Sequence, residues 1–339
     1  MSVTWETLEL HTARPFGIAR WTQSAYPRTF VTFEDGGVTG RGEAAPNAFY
    51  GETRGTVEAV LPLLADALAD GWDWDGLRTR MAARMPAGHP SVKGALEMAV
   101  VEWAARAAGV PVWRLLGLSP VPLPESSFTV GLGELDDMRR QAREAVSRGH
   151  GVLKVKLGTD RDEAIVEALR GEVPEVALRV DANAAWTRPR AKRMLAVLDA
   201  ARVELVEQPL AAGDLEGHAE LRRLARVPIV ADESLHHVSD VPRLAAAFDG
   251  VNLKLAKLGG PLRALEALRL ARTHGMSVMM GCMIESSLGI AAAAHLAGLC
   301  DWADLDGALL LGDDPFTGLN WTAGRLERPT GTGWGVERR

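Results

Sequence analysis

The chain reads VLKVK (152–156), ALRVDAN (177–183), VELVEQP (203–209), PIVADES (228–234) and GVNLK (250–254). Each segment is a short apolar run that ends in a residue able to hold a metal or move a proton. The segments recur about every 25 residues. Charged groups at the ends of strands in successive βα units converge on one mouth of a parallel barrel.

Working outward, further strand patterns stand at 126–130 (SSFTV), 276–281 (MSVMMG) and 303–311 (ADLDGALLL), which makes eight strands with seven helical stretches between them. Alternating β and α units predict a parallel sheet, and eight strands predict its closure. An open doubly wound sheet would want a G-x-G-x-x-G turn after a strand. Gly131-Leu132-Gly133 lacks the third glycine.

Residues 1–120 follow another pattern: strand-like WETLEL and TFVTFED, a Gly36-Gly37 hairpin signal, then helical stretches at 53–70, 75–84 and 91–108. Pro120-Val121-Pro122-Leu123-Pro124 reads as an extended linker. The expected organisation is an α+β capping domain at 1–120, a catalytic barrel at 121–312, and a turn-rich segment at 313–339 that returns to the cap.

Asp181, Glu207 and Asp232 are 26 and 25 residues apart, one βα unit each. Singly, each acid reads equally well as a cap for the helix after its strand. Together they repel unless a cation sits between them, and all-oxygen ligation favours Mg²⁺ or Mn²⁺ over zinc. Lys154 and Lys156 are two apart in a strand and so face one side. Two ammonium groups held close lower each other's pKa, and a divalent cation lowers it further, which suits base chemistry. Lys254 ends the strand that faces Lys156 across the carboxylates. Lys257, three residues on, is read as a support, as is Asn183. Asp304 and Asp306 place two more acids at the eighth strand end, outside the metal series, where they would attract a cationic part of a substrate.

The composition narrows the function classes. A hydrophobic content of 47% supports a large core, while a net charge of −6 and the lack of a basic stripe argue against nucleic acid. The N-terminus has no signal-peptide pattern, and the most apolar stretches are too short to span a bilayer, so a cytoplasmic protein without membrane association is expected. Cys282 and Cys300 suit packing in a reducing compartment. The histidines form no metal pattern, and His236, His237 and His295 are read as surface or packing residues.

The K-x-K, D-x-N, E-Q-P and D-E-S strands and the N-x-K-x-x-K-x-G-G strand, in this order and spacing, resemble the enolase superfamily in its muconate-lactonizing subgroup. The resemblance covers the whole chain. It implies an α/β fold: a modified (β/α)7β TIM barrel with an N-terminal α+β capping domain completed by the C-terminal tail. It also implies Lys156 and Lys254 as paired acid/base residues, Lys154 as the group that tunes Lys156, and one Mg²⁺ per subunit, with Mn²⁺ as the alternative, on Asp181, Glu207 and Asp232. The strand MSVMMGCMIES carries no histidine, which disfavours the mandelate-racemase branch. The D-x-D pair and the segment GCMIESSLGIAAAAHLAG, which contains Glu285, are similar to dipeptide epimerases, whose D-x-D motif binds the substrate's free amino terminus. That similarity implies two-base 1,1-proton transfer through an enediolate at the C-terminal residue of L-Ala-D/L-Glu or a related dipeptide. Substrate-binding roles are then implied for Asp304, Asp306, Glu285 and, in a capping loop near 16–25, Arg20. Loops near 16–25 and 44–54 should close over the site, and homo-oligomers are compatible with the family. The alternatives on this scaffold are o-succinylbenzoate synthase, N-succinylamino acid racemase and muconate-type cycloisomerase. A barrel without catalysis, serving as a scaffold, would not need the intact lysines and acids.

Overall fold

Three long antiparallel strands open the chain: β1 (Ser2–Gly17), β2 (Thr22–Asp35) and β3 (Val38–Ala44). β2 and β3 join through a two-residue turn in which Gly36 and Gly37 take φ of 58° and 77°, the left-handed pair that a tight hairpin needs. Helices Arg54–Ala65 and Pro90–Ala107 pack on this sheet, and helix Trp74–Arg84 packs against those two helices. The computed structural model describes residues 1–68 and 71–339, so the end of the helical stretch expected at 53–70 lies outside the described residues.

The barrel follows. Its strands are β4 (Phe128–Val130), β5 (Val152–Lys156), β6 (Ala177–Asp181), β7 (Val203–Glu207), β8 (Ile229–Ala231), β9 (Gly250–Leu253), β10 (Ser277–Gly281) and β11 (Trp302–Asp304), hydrogen-bonded in sequence order and all parallel. A parallel bridge between Ser126 and Ala303, with Ser127 N–H donating to Ala303 O at 3.0 Å, closes the ring. The strands read as nearly continuous Val/Leu/Ile runs because helices cover their outer faces. Among the described residues no helix is long and apolar enough to cross a membrane.

The eighth strand is shorter than the sequence pattern suggests. It stops at Asp304, and residues 307–310 form a 3₁₀ turn instead of continuing to 311. Ser126 Oγ accepts the Leu305 N–H at 2.8 Å, which takes that amide out of the ladder and turns the chain. Asp304 therefore ends a strand, whereas Asp306 precedes a turn.

The two halves dock through carboxylates of the first half that cap barrel helices. Glu43 on β3 accepts from the amides of Ser286 and Gly289 and from Ser286 Oγ, at the start of helix Ser287–Ala297. Glu97 accepts from Leu262 N at 2.7 Å, at the start of helix Pro261–Thr273. Gly260 has φ 119°, and a Cβ there would lie 2.3 Å from Glu97 Oε1. The Gly259-Gly260 pair thus makes room for a protein carboxylate at this helix start. The tail turns back as well: Gly333 exchanges backbone bonds with Val110 and Val112, and Trp334 Nε1 donates to Arg41 O.

His295 joins these parts and is buried. Its Nδ1 accepts from Trp113 N at 3.0 Å, so Nε2 carries the proton and faces Trp334 O at 3.2 Å. Burial pulls its pKa down to about 4. The unfolded chain therefore takes up this proton first on acidification. The stabilisation from His295 is complete above its ordinary value of 6.5 and is lost as pH falls toward 4. Buried Glu43, Glu52 and Glu97 are pushed up to about 7 and act in the opposite sense, so the test is a difference. The stability gap between wild type and His295→Gln should close by about 2 kcal/mol between about pH 7.5 and about pH 5. Denaturant melts of both proteins at the two pH values measure it.

Candidate active site

Strand register assembles the site. Lys156 is the cross-strand partner of Asp181, and Asp181 is the partner of Glu207, so three neighbouring strands present these side chains in a row. Asp232 follows the end of β8, and Lys254 follows the end of β9. At the mouth the backbone is strained: Asn183, Ala184 and Gln208 take φ of 45°, 63° and 37°. Non-glycine residues rarely adopt such angles, and they cluster where function holds them. Ala184 N donating to Gln208 O at 2.8 Å helps to lock this turn.

Asp181, Glu207 and Asp232 are 0–2% exposed. Lys154 Nζ lies 2.7 Å from Asp304 Oδ2, 2.6 Å from Glu207 Oε2 and 3.2 Å from Asp181 Oδ2. Lys156 Nζ donates to Asp181 Oδ2 at 2.6 Å. Lys254 Nζ donates to Asp232 Oδ2 at 2.7 Å, and Lys257 Nζ to Asp232 Oδ1 at 2.6 Å. Lys257 also donates to the Asp232 and Asn252 carbonyls, which satisfies all three of its donors and makes it a support for Asp232.

These contacts set the charge balance around Lys154. The sequence expects a lowered pKa for Lys154 from its lysine neighbour and from a bound divalent cation. Burial does pull Lys154 down, but Asp304, Glu207 and Asp181 together hold it well above the ordinary lysine value. Lys254 is likewise buried and is raised by Asp232 and Glu207. On the acid side, burial and the charge of Asp181 push Glu207 up to about 8, against the pull of Lys154.

The donor set fits a hard divalent cation. Among the described residues, no three acid, histidine or thiol side chains close into a ready-made cage. Yet three carboxylates from neighbouring strand ends lie buried together, and burial first, then the charge of Asp181, raises Glu207. Oxygen atoms of Asn183, Asn252 and Glu233 lie buried beside them without a hydrogen-bond partner. Oxygen-only ligation of this kind suits Mg²⁺.

Three orienting residues escaped the sequence reading. Gln208 Oε1 accepts from the amides of Asp232 and Ser234 at 2.9 and 3.0 Å, tying the end of β7 to that of β8. Asn252 Nδ2 donates to Glu207 Oε1 at 2.8 Å. Glu233 Oε1 accepts from Arg20 Nη2 at 2.8 Å and from Asn183 Nδ2 at 3.3 Å. Each directly neighbours or shares a motif with a residue already singled out, and that adjacency was the available signal.

A cavity of about 290 Å³ lies over these groups. Lys156, Lys254, Asp232, Asp304 and Asp306 face it from the barrel. Residues of both capping loops, among them Ile18, Trp21 and Tyr50, line the other side. Asp304 is largely engaged, by Lys154 and by Ser127 Oγ at 2.6 Å. Asp306 Oδ2 accepts from Thr129 N at 2.6 Å, and burial with the neighbouring Asp304 pushes its pKa up to about 7. A ligand ammonium group beside it would favour the ionised form.

Arg20 reaches the cavity, but its guanidinium is engaged by Glu233 and by Asn183 O at 2.6 Å, and it stacks over Phe49 at 4.5 Å. Glu285 does not line the cavity. Its Oε2 turns back onto Met283 N at 2.9 Å, and it lies buried near Arg28. The structure thus gives Glu285 a role in shaping the Met283–Ile284 wall, not the substrate contact that its motif suggested.

Comparison with known proteins identifies the family. The family described as mandelate racemase / muconate lactonizing enzyme, N-terminal domain, matches residues 2–117, and the enolase C-terminal domain-like family matches residues 137–339. An L-Ala-D/L-Glu epimerase of Bacteroides thetaiotaomicron is 33% identical over 331 residues, covering 96% of this chain and 85% of its own. A hydrophobic dipeptide epimerase of Roseobacter litoralis is 36% identical over 330 residues, covering 96% and 95%. The crystal structure of the Enterococcus faecalis dipeptide epimerase, complexed with Mg and L-Leu-L-Tyr, superposes with a TM-score of 0.93 at 31% identity, covering 98% of both chains. The chain belongs to the enolase superfamily, in its mandelate racemase / muconate lactonizing enzyme family, and is an isomerase of the dipeptide-epimerase type.

Proposed function

We propose that this protein inverts the α-carbon of the C-terminal residue of a dipeptide by two-base proton transfer. The observation that carries the reading is the placement of Lys156 and Lys254. They come from β5 and from the end of β9, four strands apart in an eight-stranded barrel, and each bonds a different member of the carboxylate trio. A substrate carbon held between them offers one face to each amine. One lysine takes the α-proton, which leaves the substrate as an enediolate. The other returns a proton to the opposite face. In the reverse direction the roles exchange, so each lysine is the base for one epimer.

Asp181, Glu207 and Asp232 would hold the divalent cation, with Asn252 and Gln208 fixing the geometry of Glu207 and Asp232. A Mg²⁺ ion bound there would offset the charge that develops on the substrate carboxylate and draw off the negative charge of Asp232 and Glu207 that raises Lys254. Asp306, with one oxygen anchored on Thr129, takes the substrate's α-ammonium group. Asp304 positions Lys154 and adds to the negative field. An acidic C-terminal side chain, as in L-Ala-L-Glu, would compete with Glu233 for Arg20.

The test is chiral separation of products from free-amine dipeptides and from N-succinyl amino acids, with Mg²⁺ present. Dipeptides should be epimerised, and Asp306→Asn should lower kcat/KM on them by about a hundredfold, the scale of a lost charge-assisted contact. Turnover of N-succinyl compounds alone, unchanged in Asp306→Asn, would replace this reading with the racemase alternative.

A further inference from the structure

We infer that Arg28 is a substrate-binding residue: its guanidinium donates to the peptide carbonyl oxygen of the dipeptide and fixes the plane of the peptide bond between Asp306 and the lysines. The inference rests on the proposed dipeptide reading.

Strand alternation delivers Arg28 to the site. On β2, Tyr26, Arg28 and Phe30 are two apart and share a face. Phe30 packs on Phe316 at 5.2 Å in the barrel's core cluster, whereas Val31 and Phe33, on the other face, pack with the cap helices. The face with Tyr26 and Arg28 therefore looks at the barrel, and both residues line the catalytic cavity. The Arg28 side chain is only 3% exposed, so its donors have to be met by protein or by whatever fills the cavity. Nε donates to Ile284 O at 2.6 Å, and Nη1 to Pro27 O at 2.7 Å. Of the five N–H groups of a guanidinium, three remain. Nη2 makes no hydrogen bond among the described residues and is not sealed in protein, and the space that Arg28 borders is the cavity.

Strand order says what part of the ligand passes there. β10 stands between β9 and β11 in the barrel. Lys254 follows β9, Asp306 follows β11, and Ile284, the acceptor of Nε, follows β10. A dipeptide with its ammonium group on Asp306 and its C-terminal α-carbon between the lysines has to carry its peptide bond across the end of β10. The electrostatic neighbours agree with this placement. Cys282 lies in the field of Asp306 and also acts on Arg28, while Glu285 feels both Arg28 and Lys254. Arg28 thus stands over the stretch that the peptide bond crosses.

The charge around Arg28 selects a neutral acceptor. Glu43 Oε1 stands 3.8 Å from Nε, and Glu285 is buried close by. Two carboxyl groups face one guanidinium, so no positive surplus is left even with one of them protonated. A carboxylate brought there, such as that of an N-succinyl group, would also meet the field of Asp304 and Asp306. A carbonyl oxygen brings a dipole and no net charge. Donation from a guanidinium to a carbonyl is directional, so it sets the peptide plane and with it the line of the Cα–H bond toward a lysine.

The experiment compares kcat/KM on one dipeptide and on the same dipeptide with its peptide oxygen replaced by sulfur, a weaker acceptor. It uses wild type, Arg28→Met and Arg28→Lys, with Mg²⁺ present. Wild type should prefer the oxygen compound by about thirtyfold, the scale of a hydrogen bond from a charged donor. In Arg28→Met the oxygen compound should lose that factor, and the preference should fall toward one. Arg28→Lys keeps a cation beside Glu43 and Glu285, so it serves if Arg28→Met does not fold, and its tip without the guanidinium fork should lower the preference in the same way. A residue that only braced the Ile284 loop would slow both compounds equally and leave the preference intact. That result, or equal rates of wild type on the two compounds, would overturn the inference while the dipeptide reading stands. No turnover of any dipeptide, with N-succinyl compounds turned over, would remove the dipeptide reading and this one with it.

Discussion

Lys156→Ala and Lys254→Ala should each abolish epimerisation, with kcat/KM down by about a thousandfold, within the range of a lost general acid or base. The two losses should not look alike. With one amine gone, the remaining lysine can still take and return a proton on its own face. Each variant should therefore exchange the α-hydrogen of one epimer with solvent without inverting it, and the two variants should favour opposite epimers. A lysine that only bound the substrate carboxylate would weaken both epimers equally. Both substitutions keep the fold within reach: Lys156 and Lys254 are 8% and 7% exposed at the cavity edge, so truncation opens onto that space.

Asp232→Asn should have the largest combined effect. Its carboxylate receives Lys254 on one oxygen and Lys257 on the other, and it is 2% exposed. Removing its charge strands two buried ammonium groups. Breaking a buried ion pair from one side costs about 3 kcal/mol or more. On the proposed function it also takes one of the three carboxylates that would hold the cation, and the loss of metal-derived stabilisation in the transition state would correspond to about a thousandfold in kcat/KM. The two effects separate in melting experiments. Wild type should gain Tm with added Mg²⁺, as any ligand of the folded state requires. Asp232→Asn should start lower and gain little. A variant that loses stability but keeps the full Mg²⁺-dependent rise in Tm would show that Asp232 braces lysines without holding a cation.

The sequence made the strand-end residues legible because both the repeat and the chemistry are local. An acid or lysine that ends a Val/Leu run needs only its own strand to be placed, and the register of β5, β6 and β7 then lines up Lys156, Asp181 and Glu207. What was not legible depends on partners far along the chain. The hold on Lys154 comes from Asp304, 150 residues away, a partner that its own strand cannot announce. Glu285 lay in a matching motif, but no motif states which way a side chain turns, and its own loop amide captured it. The shortened eighth strand follows from Ser126, 179 residues before Leu305. The caps that Glu43 and Glu97 provide to barrel helices join elements with no common sequence signal. Gln208 and Asn252 are intermediate: their positions inside the motifs were visible, and their task, holding neighbouring carboxylates, needed the register.

The central claim is that two lysines address opposite faces of one carbon. The most direct test follows the α-proton by NMR in D₂O with Mg²⁺, starting separately from each epimer of one dipeptide, with wild type, Lys156→Ala and Lys254→Ala. The account predicts deuterium in both epimers with wild type, and in only one starting epimer, without inversion, with each variant, the choice reversing between them. Deuterium entering both epimers equally with either variant, or the same epimer with both, would contradict it.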